Sequence, residues 1–342
     1  MRTPTLLLTA ALIATALTSQ ARIIRVNSVA AYATTCTTCF YGTNALSQAV
    51  SAAISGDTIH LEPSDFSYGD VDINKKLVII GAGYFHGASP NNIGLQANQQ
   101  VSTVNRINLL TNSDSTVIMG LRFAEYGGGL FFYTTSHIRI IRNFFDSYGI
   151  SFQSGNTAAN ITIAENYING GINHEYGSQT LTNLVIRNNI MSGTIGLNAT
   201  DDVVTNLTVT NNTFTNTGNH GLKNAQVTYN VFAAGNISGT NNEIHHNISA
   251  TALSNADPLQ NPVVPMGNVY NLSVGTHDSK YDILSSSPYN ETGTQARGAF
   301  SGISPYRLSG IPNIPTIYSL QSTLNTTPGG TVNVTLSTRS NP

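Results

Sequence analysis

Ile161-x-Ile163-x-x-Asn166-x-Ile168, Leu184-x-Ile186-x-x-Asn189-x-Met191 and Leu207-x-Val209-x-x-Asn212-x-Phe214 superimpose residue for residue. Ile138-x-Ile140-x-x-Asn143-x-Phe145 precedes them, and Ala225-x-Val227-x-x-Asn230-x-Phe232 follows. Thinner copies flank the series: Thr116-x-Ile118-x-x-Leu121-x-Phe123 before it and Asn242-x-Ile244-x-x-Asn247-x-Ser249 after it. From Leu121 through the asparagines the steps are 22, 23, 23, 23, 18 and 17 residues. Repeats of this length build solenoids. Within each copy apolar residues alternate with others, the mark of a short strand with one buried face. The break containing Asn re-aims the chain, because Asn tolerates left-handed backbone angles. A third alternating run follows in several copies, at Ile150-x-Phe152, Ile172-x-His174 and Ile195-x-Leu197. Three strands per turn and no helical half predict an all-β chain, a right-handed parallel β-helix.

Stacked coils of such a fold lie about 4.8 Å apart, so equivalent side chains sit above one another. Asn143, Asn166, Asn189, Asn212 and Asn230 then form a buried ladder of amides, each hydrogen bond worth about 1 kcal/mol net. The open end of a solenoid needs a cap. Thr43 to Ile54 predicts a short amphipathic cap helix with Leu46, Val50, Ala53 and Ile54 on one face, stopped near Gly56.

The N-terminus has the pattern of a secretory signal: Arg2, an apolar run from Leu6 to Leu17, then small Ser19 and Ala21 before a cleavage point. That run is too short to span a bilayer, which takes about 20 residues. The expected organisation is a signal peptide at 1–21, the β-helix domain with its cap at 22–312, and a short extended C-terminal tail at 313–342. Export, to the extracellular space or the cell surface, makes Cys36 and Cys39 a local disulfide or two inert thiols. Charged residues are 9 % of the chain and the formal net charge is −2. There is no basic surplus to neutralise phosphates, so nucleic acid is not expected as a partner.

The cap helix, then Gly56-Asp-Thr-Ile-His-Leu61 and Leu77-Val-Ile-Ile-Gly-Ala-Gly83, resemble the opening of exported β-helix proteins of the pectin-lyase-like superfamily. The Asn-bearing coils and the closing Arg297-Gly-Ala-Phe300 resemble the same group, over roughly residues 30 to 310. The resemblance implies a β-helix and, as candidate activities, polysaccharide lyase or glycoside hydrolase chemistry. It does not decide among them, because fold alone does not set function.

Lyases of that kind hold calcium on clustered acidic residues, which must supply several oxygens together. From residue 137 to 249 the acids Asp146, Glu165, Glu175, Asp201, Asp202 and Glu243 recur at no shared position. Hydrolysis needs two carboxylates. Asp201-Asp202, followed by Gly218-Asn-His220-Gly221 and Lys223, is the nearest approach to such a set, placed in loops. His174 lies on the inward phase of its strand beside Glu175 and Tyr176, where a carboxylate turns an imidazole into a general base. His245-His246 reads as a poor metal pair, since neighbouring strand residues face opposite sides. Tyr126, Tyr148 and Tyr176 are candidate platforms for a sugar ring. The reading is therefore a secreted or surface β-helix protein whose partner is a polysaccharide or cell-surface glycan. It carries no evident cofactor, with calcium entering only under the lyase alternative. The catalytic candidates are Asp201, Asp202, His220 and His174; the oligomeric state is not legible.

Overall fold

The computed structural model describes residues 21–32, 36–124, 127–175, 177–293, 295–323 and 330–341. The expected signal peptide, save Ala21, and the expected platforms Tyr126 and Tyr176 lie outside the described residues. No helix among the described residues is long and apolar enough to cross a membrane.

Among those residues the chain builds three parallel sheets of twelve, eight and eight strands. It visits them in rotation. Arg139–Ile141 lies in sheet I, Phe144–Phe145 in sheet III and Ile150–Phe152 in sheet II, before Thr157–Ala164 returns to sheet I. The alternation seen in the sequence decides which side chains enter. Ile118, Ile140, Ile163, Ile186, Val209 and Val227 form one fully buried column on sheet I. Phe123 stacks on Phe145 at 4.5 Å, and Phe214 on Phe232 at 4.7 Å. Those separations match the spacing of paired strands, about 4.7–4.9 Å. These are two separate ring pairs in one column, with Ile168 and Met191 filling the coils between them.

Asn143, Asn166, Asn189, Asn212 and Asn230 are fully buried, and the row continues through Asn247 to Asn261. From Asn166 onward each Oδ1 accepts from the backbone N–H and the Nδ2 of the Asn one coil earlier, while Asn143 Oδ1 accepts the Leu121 N–H; Asn166 gives its two bonds to Asn189 at 2.9 and 3.0 Å. Each Nδ2 also donates to main-chain carbonyls, as Asn189 does to Ile163 and Arg187. The left-handed angle expected at these asparagines falls one residue earlier. Arg142, Glu165, Asn188, Asn211, Tyr229 and His246 have φ between 53° and 60°. The ladder residue must keep its amide pointing inward, so its predecessor makes the turn. A second left-handed row, His137, Asn160, Asn183, Asn206, Asn224 and Asn241, bends sheet I on its solvent side. There Asn206 donates to Asn183 and Asn183 to Asn160, at 2.9 and 2.8 Å.

The cap helix spans Ala45–Ala52 and buries Ala45, Leu46, Ala49 and Val50. Ile54, expected on that face, is 43 % exposed. The helix stops early, Ala53 is extended, and Ile54 leaves the helical phase. Cys36 and Cys39 form a disulfide beside the cap.

The segment Ala296–Pro312 runs back along the stack as a strap over the left-handed row. Asn211 Nδ2 donates to the Ala296 carbonyl, Asn188 Nδ2 to those of Ala299 and Ser301, and Arg142 Nη1 to that of Ile311. Buried Asp278 anchors its far end by accepting from Asn92 Nδ2, Thr276 Oγ1, the Ser309 N–H and the Tyr306 hydroxyl. The tail is a two-stranded antiparallel hairpin, Thr316–Ser322 with Val334–Arg339. It docks on the solenoid through Ala97 N–H to the Ile317 carbonyl and Arg339 Nη2 to the Leu95 carbonyl.

Candidate functional site

Two of the candidate residues, Tyr148 and His174, come together at the outer face of sheet II. Its strands Arg106–Leu109, Gly129–Phe132, Ile150–Phe152, Ile172–His174 and Ile195–Gly196 lie side by side in register. One outward column reads Asn108, Phe131, Ser151, Asn173, Gly196. Just before the strands come Gly149 and Gly171, and these glycines are spacers. A Cβ on Gly149 would sit 1.7 Å from the Gly171 carbonyl oxygen, so no side chain fits. The result is a groove of about 930 Å³ with a bare backbone floor at Gly149, Gly171 and Gly196.

The walls combine apolar and polar groups. Tyr148 is 38 % exposed, and Phe131 stands beside it with the Arg106 guanidinium 4.9 Å from its ring centroid. Arg106 Nη2 also donates to the Gly127 carbonyl at 2.5 Å, which fixes the cation at one end. Asn173, His174 and Glu175 line the other end. Ring faces with a few directional polar groups are the usual equipment of a site for a small polar ligand.

His174 follows the inward phase of its strand, in register with buried Phe152, but its side chain keeps 22 % of its surface. Nδ1 is its buried edge, 3.8 Å from Asp202 Oδ2. Neither atom has a hydrogen-bond partner. The Asp202 side chain is fully buried, and its Oδ1 accepts from the Gln179 N–H at 3.2 Å. The carboxylate beside His174 is therefore Asp202, contributed by the next coil, rather than the neighbouring Glu175.

The structure divides the other candidates. Asp201 is exposed while Asp202 is buried, so the pair is not a solvated turn pair. Lys223 Nζ bonds the carbonyls of Thr200 and Asp202 and supports their turn. His220, expected in a loop, lies in the strand Asn219–Lys223, fully buried against Phe214 and Phe232. Burial pushes its pKa down to about 4, and its Nδ1 accepts the Ile195 N–H at 3.3 Å. It occupies a core position between Ile195 and Ile237, away from the groove. Among the described residues no three His, Cys, Asp or Glu side chains gather to hold a metal.

Sequence reasoning missed Arg106, Phe131 and Asn173. Their signal was the glycine that recurs before or within successive sheet II strands, at 129, 149, 171 and 196. A residue type that leaves space at one repeat position marks a groove as surely as a bulky one marks a core.

Comparison with family models, with curated proteins and with solved structures finds no match for this chain.

Proposed function

We propose that this is a secreted or cell-surface protein whose sheet II groove binds a polysaccharide or cell-surface glycan. The observation that carries the reading is the groove itself: a glycine floor between Tyr148 and Phe131 at one end and Asn173 and His174 at the other. Sugar rings stack on aromatic faces, and their hydroxyls pair with amides. A chain laid across the coils would meet a new backbone rung about every 4.8 Å. The coils wind right-handed on this reading, as about 98 % of parallel crossovers do. The Asn row and cap support kinship with the pectin-lyase-like superfamily.

Affinity electrophoresis of the chain from Arg22 against acidic and neutral polysaccharides tests the reading. One glycan should retard the protein, and Tyr148→Ala or Asn173→Ala should weaken retardation about tenfold or more, with unchanged Tm. Equal retardation of both variants, or none by any glycan, rejects it.

The second reading, a polysaccharide lyase or glycoside hydrolase, is favoured by His174 and Asp202. A buried carboxylate behind a partly open imidazole suits a general base. Under this reading size-exclusion chromatography shows a glycan shortened by the chain, and His174→Gln abolishes the shortening. Shortening that survives His174→Gln removes His174 from the chemistry.

A further inference from the structure

His245 and His246 do not face opposite sides. His245 ends the strand Glu243–His245 and points outward, in register with Thr228. His246 takes the left-handed turn position, φ 60°, and that angle swings its ring to the same outer side. The two Nδ1 atoms come within 2.7 Å of one another. His246 is held from behind. Its ring stacks on Tyr229 at 5.3 Å and 15°, while its main-chain N–H donates to the Gln260 carbonyl and its main-chain carbonyl accepts from Arg297 Nε at 2.8 Å.

We propose that His245 and His246 form a binding site for a tetragonal divalent transition-metal ion, copper(II) foremost, through their paired Nδ1 atoms. With metal–nitrogen bonds of about 2.0–2.1 Å, two nitrogens at a right angle stand about 2.8–3.0 Å apart, while a tetrahedral angle needs about 3.3 Å or more. The 2.7 Å separation is close to the first value and short of the second. Right-angled nitrogen ligation is the preference of copper(II) and nickel(II), and copper(II) binds such donors most tightly of the divalent series. Among the described residues no third His, Cys, Asp or Glu joins the pair. The remaining positions fall to water or to a donor brought by a partner. The site lies on the left-handed corner of the stack, apart from the groove.

The substitutions that test this leave the fold alone. Asn already fills the left-handed position at 188 and 211, and Thr228 is the register neighbour of His245. The chain from Arg22 is titrated with copper(II), with affinity from calorimetry and ligand count from electron paramagnetic resonance. One equivalent should bind with two equatorial nitrogens. His246→Asn and His245→Thr should each weaken binding at least tenfold and remove one nitrogen, while His137→Asn changes neither. Absence of copper binding, or an unchanged spectrum and affinity in the double variant, overturns the proposal; the 2.7 Å contact is then a hydrogen bond between imidazoles and nothing more.

Discussion

At the scale of the residue, two neighbouring asparagines do different work. Asn189 serves the interior: its amide satisfies main-chain groups of its own and the preceding coil and the amides on either side. Asn188 makes the left-handed turn and reaches out to the strap. Asn189→Ala leaves several buried donors and acceptors unpaired and should cost about 2–4 kcal/mol. Asn183→Gly, at an exposed left-handed position where Gly is at ease, should cost under about 1 kcal/mol. Urea denaturation of the two variants decides, and similar midpoints would show the buried row contributes no more than a surface one. The ladder was legible because a buried amide between apolar neighbours stands out at every repeat. The turn residue was not, because Arg, Glu, Asn, Tyr and His all occupy it.

At the scale of the element, the strap is the part that periodicity could not reveal. Ala296–Pro312 repeats nothing, and its place is set by single contacts to residues whose outward direction follows from a backbone angle. Its anchor is Asp278, buried among four donors. Asp278→Leu strands the buried Ser309 N–H and takes one bond each from Asn92, Thr276 and Tyr306, a loss of about 3 kcal/mol or more. Hydrogen exchange should then quicken across 296–312 while the amides of sheet I keep their protection. Uniform acceleration throughout would mean that strap and coils open as one unit. The groove was half legible for a related reason. Tyr148 and His174 stood out as chemistry, but the carboxylate behind His174 comes from the next coil, and that distance along the chain hides it.

At the scale of the whole molecule, two buried histidines should make the fold sensitive to acid. His220 and His86 are both buried, and burial lowers each pKa from 6.5 to about 4. Between those values the unfolded chain takes up protons that the folded chain refuses, so stability rises with pH across that window. The contribution is complete above pH 6.5 and lost progressively toward pH 4, about 3 kcal/mol at most for each histidine. Urea midpoints at pH 7.5 and 4.5 should differ accordingly, and His220→Leu should narrow the gap. A gap unchanged by that substitution would place the acid sensitivity elsewhere.

The strap has one more consequence, which concerns counting. Coils 23 residues apart are nearly interchangeable, and a chain of interchangeable coils can mispair by a whole coil without offending any local rule. The strap breaks that degeneracy, because it is a ruler of fixed length laid across the stack. Excising residues 143–165 would join Arg142 to Asn166 and keep the strap's anchors Arg142, Asn188 and Asn211, while leaving the ruler about 4.8 Å too long. Such a chain should keep its β-sheet spectrum and become sensitive to protease between Ala296 and Pro312, where the surplus length has nowhere to go.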